Sequence, residues 1–373
     1  MHNLDNLIKH RRNLHQIPET AFNEIKTQEY ILNFFKSLPR FKILTPYKTS
    51  IVAILEGGDS SILFRADMDA LKIEESTDLS FKSQNKGFMH ACGHDGHMSI
   101  LLSFASYLHN HNFNKTFVLV FQPAEEGPGG AKELVKQDLF NSLNIEAAFG
   151  LHLWPDLEIG KISSRKGAFM AGPSEFDIDI LGKAGHGAKP HETKDAVLIA
   201  SQLILRYQTI ISRRVNPLSP SVLTIGKMTS GTVRNVIAET ARLEGTIRTF
   251  DSNLMMQIIN DMQKIHKAIE IEWDCKIKED IRIAYPPVVN DDNWVEFLQK
   301  NIDPNCYKEA DPSMIAEDFS YFINKFGGAF FFLGVKSKNI ETYSLHHSKF
   351  NFDEKALLTG LETYINIASN YKI

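Results

Sequence analysis

The sequence has few cysteines, no excess of positive charge and no long apolar run. Three cysteines among 373 residues cannot form a disulfide framework, and at least one thiol must stay free. The net charge is −4, whereas a protein surface that binds nucleic acid usually needs an excess of basic residues. No apolar run approaches the roughly 20 residues that span a bilayer, and the polar N-terminal region lacks the apolar core of a signal peptide. We therefore expect a cytoplasmic protein that binds neither nucleic acid nor membrane.

The first part of the chain alternates helical periodicity with apolar runs. The residues TFVLVFQ form a continuous apolar run at 116–122, which is typical of a strand buried on both faces. Helical spacing and short β-like runs surround it, which predicts an α/β layered domain. The predicted helices cover residues 23–38 and 96–108, and the other strands cover residues 50–55, 61–64 and 147–153.

The pattern changes near residue 174. Phe176, Ile178 and Ile180 alternate with Asp177 and Asp179, which indicates a strand with one wet face. The elements that follow give a β-α-β-β-α-β order, the ferredoxin-like pattern. They cover residues 195–213, 221–228, 238–250, 253–269 and 276–283.

From about residue 286 the chain returns to helix and strand, with elements at 294–301, 329–333 and from 353 onward. The predicted fold is therefore an α/β catalytic domain, a mixed sheet flanked by helices, with an inserted ferredoxin-like α+β domain. The catalytic domain takes residues 1–170 and 286–373, and the insert takes 171–285.

Two motifs near the predicted strands carry candidate metal donors. Asp67 and Asp69 lie just beyond the run ending at residue 64, where they could bind a metal, orient a ligand or simply form a polar loop. Cys92 and His94 flank a glycine that lets the backbone bend, and thiolate with imidazole suits zinc-like metals. The spacing is not that of a zinc finger, and the alternative is a buried cysteine beside helix-capping residues.

Adjacent acids follow the most apolar strand. Burying Glu125 and Glu126 there would be costly unless they met cations, and one could bind metal while the other reaches a water molecule. The alternative is a solvated acidic turn. Isolated histidines also follow apolar runs. They are His152, His186, His346 and His347. Such histidines are often structural, but their occurrence together with the cysteine and the acids predicts a two-metal site.

Six ordered motifs resemble those of the M20 family of metallopeptidases and aminoacylases, in its amidohydrolase branch. The resemblance runs from about residue 5 to the end of the chain. The motifs are RADMDAL, MHACGHD, FQPAEEG, GLHLWP, GHGAKPH and LHHSKF. Within the branch, QPAEEGPGGAK and the segment from TIGKMTSG to EGTIRT are most similar to the deacetylases that act on N-acetyl-L,L-diaminopimelate in lysine biosynthesis. Hippurate and auxin-conjugate hydrolases share much of the pattern.

The resemblance implies a site with two divalent ions, which could be zinc, manganese, cobalt or nickel. The implied ligands are Cys92, His94, Glu126, His152 and His346, with His347 as the alternative to the last. Glu125 is the implied general base, and Asp69 orients a ligand. Asp67 stands where many relatives carry a metal-binding histidine, so its role stays open between metal contact, support of a ligand and catalytic acid.

The resemblance also implies roles for the inserted domain. It would form a homodimer and close over the site, with His186 contacting the reacting carbonyl and Asn235 and Arg248 meeting polar groups of the substrate. The expected substrate is a small N-acyl amino acid. The alternatives are a hippurate hydrolase, aminoacylase or carboxypeptidase with the same site, a catalytically silent binding protein, and a structural zinc protein.

Overall fold

The structure is a computed structural model that describes residues 4–371. The chain divides into two compact units, each with its own hydrophobic core. The first unit contains the chain up to Phe169, the segment Val289–Pro312 and the chain from Asp318 onward. The second contains Met170–Val288 and the short segment Ser313–Glu317.

The first unit is built on a mixed sheet of eight strands. Four neighbouring strands are parallel, and antiparallel pairs extend the sheet at both sides, so the predicted mixed α/β class is confirmed. In sheet order the strands are Lys42–Leu44, Ile51–Leu55, Thr116–Gln122, Ser61–Asp67, Ile145–Glu158, Gly328–Lys336, Ile162–Ser164 and Tyr307–Glu309.

Helices flank this sheet and bury its apolar side chains. The Phe64 ring packs 4.8 Å from Phe104 and 4.8 Å from Tyr364, measured between ring centroids, which joins the sheet to two helices. Every residue of Thr116–Gln122 is buried, as the continuous apolar run predicts. The helices of this unit are Leu4–His15, Ile25–Phe35, His94–His109, Gly130–Leu134, Leu139–Ser142, Asp292–Lys300, Ser320–Phe326 and Ala356–Asn370.

Three predicted boundaries near the motifs were wrong. The strand expected to end at residue 64 continues as Ser61–Asp67, because the charges of Arg65 and Asp67 neutralise each other inside the sheet. The helix expected from residue 96 begins at His94. The strand expected at residues 147–153 extends further at both ends, as Ile145–Glu158, because it pairs with Gly328–Lys336 over most of its length.

The second unit has the predicted ferredoxin-like topology. Its antiparallel sheet has the order Ser221–Ser230, Thr240–Thr249, Gly172–Leu181, Lys276–Ile283. The helices Ala196–Arg213 and Ser252–Trp273 complete the β-α-β-β-α-β sequence, and Asp195 and Asp251 cap their N-termini. A short ribbon, Gly185–His186 with Val236–Ile237, and the 3-10 turn Pro190–Glu192 lie between these elements in the chain. That this unit serves as a lid or dimerisation domain stays a prediction.

Two further short strands, Gly167–Met170 and Val288–Asn290, lie at the points of the sequence where the chain passes between the units. Among the described residues, the longest apolar helices fall short of what a membrane crossing requires.

Candidate active site

Neighbouring parallel strands bring the candidate residues of the first unit to one edge of the sheet. Asp67 and Gln122 are register partners, so the segments that follow both strands emerge at the same edge. On the next strand, Gly150 lies opposite Arg65, which places His152 level with that edge. The carboxyl ends of parallel strands are where ligands of α/β proteins collect.

A left-handed glycine starts the helix that carries two candidate donors. Gly93 has a φ of 85°, and its carbonyl accepts the amide of Gly96 at 2.8 Å as the helix His94–His109 begins. The bend brings the side chains before and after the glycine together, with donor atoms of Cys92 and His94 within 4.8 Å of each other. Only glycine adopts this conformation without steric cost.

Replacing Gly93 by alanine is expected to destabilise the protein. The left-handed conformation costs an alanine about 1–2 kcal/mol. The new Cβ would also lie 2.8 Å from Leu153 Cδ1, which adds overpacking. Gly160→Ala is the matched control, because Gly160 has a φ of 80° but no atom within 4 Å of its added Cβ. Urea unfolding should give a larger loss for Gly93→Ala, and equal losses would contradict this reading of the bend.

The donor atoms of the five predicted ligands fall into two groups that share Cys92. One group is Cys92, His94 and His152, and the other is Cys92, Glu126 and His346. Within each group all donor atoms lie within 4.8 Å of one another. Cys92 Sγ is 3.3 Å from His152 Nε2, and His346 Nε2 is 3.0 Å from Glu126 Oε1. A thiolate shared by two sets of nitrogen and oxygen donors suits a pair of divalent ions.

Backbone carbonyls orient the two buried imidazoles. His94 Nδ1 donates to the Asp69 carbonyl at 2.9 Å, and His152 Nδ1 donates to the Leu153 carbonyl at 2.8 Å. Both rings therefore present Nε2 to the pocket, and His94 Nε2 is a buried nitrogen with no hydrogen-bond partner among the described residues. Burial lowers the pKa of His152 to about 3, which keeps its ring in the neutral form that binds metal.

The charges around Cys92 favour cations. Burial, and after it the carboxylates of Glu126 and Glu125, raises the pKa of the Cys92 thiol well above its usual value. Burial opposes a charge on His94, but the Asp67 carboxylate leads the contacts that raise its pKa to about 10. Without metal, Cys92 and His94 therefore hold their protons, and divalent ions would displace these protons on binding. The residues fit the metals that the resemblance implies.

Asp69 holds the turn that carries the two glutamates. Its Oδ1 accepts the amide of Glu125 at 3.0 Å, and its Oδ2 accepts the amide of Glu126 at 2.9 Å. The carbonyl of Ala124 accepts the amide of Gly130 at 3.0 Å, which closes the turn. Both glutamate side chains lie beside His94, with donor atoms within 4.8 Å of one another.

Asp67 lies in a fully buried polar network. Its Oδ2 is 2.6 Å from Arg65 Nη1, and its Oδ1 accepts from His97 Nδ1 at 2.6 Å. Arg65 also donates to Asp318 at 3.0 Å, and His97 Nε2 accepts the Leu153 amide at 3.0 Å. Both carboxylate oxygens of Asp67 are therefore engaged by protein groups, and His97 is held within the same network.

The three candidates of the second unit do not all lie together. His186 pairs with Val236 in the short ribbon, and the Asn235 carbonyl accepts the amide of Gly187 at 2.9 Å, so His186 and Asn235 are neighbours. Arg248 belongs to the strand Thr240–Thr249 and donates to the Ile247 carbonyl at 3.1 Å. The His186 side chain is exposed, and Arg248 is half-buried.

Comparison with known proteins decides the family. Residues 63–370 match the family described as Peptidase family M20/M25/M40. The chain belongs to this family. It is 42% identical over 374 residues to an N-acetyldiaminopimelate deacetylase of Anoxybacillus flavithermus, covering 97% of each chain. It is 39% identical to a deacetylase of the same name from Bacillus subtilis, covering 99% of this chain and 98% of the other.

A solved structure supports the same membership. A dinuclear metal-binding peptidase of the M20 family from Bacillus subtilis superimposes with a TM-score of 0.84 at 30% sequence identity. The match covers 98% of this chain and 97% of that one.

In this M20-family chain the two C-terminal histidines have different surroundings. The backbone amide of His346 donates to the Ala91 carbonyl at 2.9 Å, which ties it to the cysteine segment. The His347 ring stacks on Tyr343 with centroids 4.6 Å apart, and its Nδ1 accepts the amide of Lys349. Of the pair, His346 is the one whose ring nitrogen lies with Glu126 and Cys92.

Sequence reasoning missed several buried polar partners in this M20 site. Asp318 accepts a hydrogen bond from Arg65 at 3.0 Å and one from Gln122 at 2.8 Å. It lies 253 positions after Arg65 and 196 positions after Gln122 in the chain. The signal in the sequence was Arg65 itself, a charged residue inside an apolar run that must find a buried anion.

Proposed function

We propose that this M20-family chain uses two divalent metal ions to remove the acetyl group from N-acetyl-L,L-diaminopimelate, which gives acetate and diaminopimelate. The observation that carries the proposal is the pair of donor groups that share the buried thiol of Cys92. The names of the relatives at 42% and 39% identity support the substrate.

The proposed ligands follow from the two donor groups. They are Cys92, His94, Glu126, His152 and His346. Zinc, manganese, cobalt and nickel all suit such nitrogen, sulfur and oxygen donors. When bound, the ions would lower the pKa of a water molecule and polarise the amide carbonyl.

Glu125 is the proposed general base. It is buried in the turn that follows the strand Thr116–Gln122, and its backbone is fixed by Asp69. Its carboxylate takes a proton from the attacking water and returns it to the leaving amine nitrogen, so that one group serves both proton transfers. Glu126, next in the chain, serves as a ligand because its carboxylate lies with Cys92 and His346.

Asp69 and Asp67 support these groups in different ways. Asp69 accepts the amides of both glutamates and offers its carbonyl to His94, so it sets the positions of base and ligands together. For Asp67 we favour a supporting role, because Arg65 and His97 engage both of its oxygens. His97 in turn fixes the backbone amide next to His152.

The proposed substrate contacts of the second unit are His186, Asn235 and Arg248. They rest on the family resemblance, as does a homodimer through this unit. If His186 contacts the carbonyl oxygen as charge develops on it, His186→Ala should keep both metals but lower kcat, with little change in stability. His191→Ala is the matched control, because it removes an exposed histidine of the same segment. Equal activity of the two variants would exclude this role.

Subunit mixing tests whether one chain completes the site of another. His186→Ala protein mixed with Glu125→Gln protein should regain part of its activity if hybrid dimers combine an intact base with an intact histidine. No recovery after verified subunit exchange would mean that each chain completes its own site.

A comparison of substrates tests the specific activity. N-acetyl-L,L-diaminopimelate should have a higher kcat/KM than hippurate or N-acetyl amino acids. The reverse order would move the chain to the hippurate hydrolases or aminoacylases with the metal chemistry intact. Metal binding without hydrolysis of any of these amides would favour a silent binding protein.

A further inference from the structure

A buried carboxylate outside the sequence motifs contacts the turn that carries Glu125. Glu24 has no exposed surface, and it immediately precedes the helix Ile25–Phe35. Its Oε1 accepts the backbone amide of Ala124 at 3.0 Å, across 100 positions of sequence. Its Oε2 accepts the hydroxyl of Thr49 at 2.5 Å.

Glu24 Oε1 holds two residues in the left-handed backbone conformation, which L-amino acids avoid. Ala124 has a φ of 59° and Phe22 a φ of 62°. The amides of both donate to Glu24 Oε1 at 3.0 Å. Such strained residues persist only where surrounding contacts enforce them, and they gather at functional sites. Glu24 is a contact that enforces both.

Two buried carboxylates together hold three successive amides of this turn. The amide of Ala124 goes to Glu24, and those of Glu125 and Glu126 go to Asp69. This arrangement has a cost, because burial raises the pKa of Glu24 to about 7 even though the Thr49 hydrogen bond opposes the shift. Starting the helix Ile25–Phe35 does not require this buried carboxylate, because the Glu24 side chain does not cap that helix and instead binds the amide of Ala124.

We infer that Glu24 is a positioning residue for Glu125, acting through the left-handed backbone of Ala124. The inference rests on the proposed function, since it takes Glu125 as the base. Without the Glu24 oxygen, Ala124 relaxes toward the ordinary region of backbone space, and the Glu125 carboxylate turns away from its working position.

Three variants test the inference. Glu24→Ala should lower kcat by about tenfold to a hundredfold, the range that a small misplacement of a reacting group can cause, with KM and metal content little changed. Glu24→Gln keeps an oxygen for the two amides and should restore kcat close to that of the wild type. Glu19→Ala is the matched control: among the described residues the Glu19 carboxylate forms its hydrogen bonds with the amide and hydroxyl of Thr27 and not with the turn, so the change should lower Tm and leave kcat unchanged.

Hydrogen exchange gives a readout that does not need substrate. In Glu24→Ala the amides of residues 124–127 should exchange faster, while the helix His94–His109 keeps its protection. If Glu24→Ala does not fold, Glu24→Asp replaces it, because it keeps the charge but shortens the reach to Ala124. A wild-type kcat in Glu24→Ala, or an equal loss in Glu24→Gln or Glu19→Ala, would overturn the inference.

The two proposals fail in distinguishable ways. A wild-type protein that hydrolyses no amide contradicts the proposed function, and the catalytic part of the inference falls with it. Unchanged exchange at residues 124–127 in Glu24→Ala overturns the positioning claim even when the wild-type protein is active.

Discussion

Glu125→Gln is expected to lower the turnover of the acetylated substrate at least about a hundredfold, the lower end of what a general base contributes. Glutamine has nearly the same size but cannot take a proton from water. The turn should persist, because Asp69 holds it through the backbone amides of Glu125 and Glu126, which the substitution leaves unchanged. The ligands are also untouched, so metal content should stay at that of the wild type.

Glu133→Gln is the control for this change. Glu133 lies in the nearby helix Gly130–Leu134 and forms an exposed ion pair with Lys136, so losing its charge should leave turnover unchanged. Steady-state kinetics and elemental analysis of both variants make the comparison. Near-normal turnover of Glu125→Gln would remove Glu125 from the role of base.

Cys92→Ala is expected to have the largest effect on metal binding. Cys92 is the donor that both groups share, so its loss removes a ligand from each ion. Loss of a group that only hydrogen-bonds to a metal ligand typically lowers metal affinity about 10- to 100-fold, and loss of a shared ligand should lower it at least as much. Hydrolysis by this variant should then depend on added metal.

Cys275→Ala is the matched control, because it removes another buried free thiol, one that belongs to the core of the second unit. Metal per chain, measured by elemental analysis after desalting, should fall for Cys92→Ala alone. The same metal content in both variants would return Cys92 to the role of a small core residue.

Elements with strong local patterns were predictable from sequence. Thr116–Gln122 and Lys276–Ile283 have the predicted bounds, the first because an unbroken apolar run admits few alternatives. The ferredoxin-like topology followed from the order of elements. The prediction ended the strand Ser61–Asp67 at residue 64, because Arg65 and Asp67 look like loop residues until the remote partner of Arg65, Asp318, and that of Asp67, His97, are known.

The candidate site shows the same limit. Short motifs pointed to Cys92, His94 and the two glutamates because unusual residue types stand close together in the chain. Glu24 could not be found that way, since its partner Ala124 is 100 positions distant and its own surroundings look like an ordinary helix start. Contacts of this kind depend on the tertiary fold, which local patterns do not encode.

The proposal of a two-metal hydrolase is tested most directly by titrating the metal-depleted protein with one divalent metal at a time. Bound metal and hydrolysis of N-acetyl-L,L-diaminopimelate are measured on the same samples. We expect hydrolysis to rise with added metal and to level off at about two ions per chain, as two donor groups sharing one thiolate require. A single tightly held ion per chain, with hydrolysis absent or independent of metal, would contradict a two-metal site and favour a structural one.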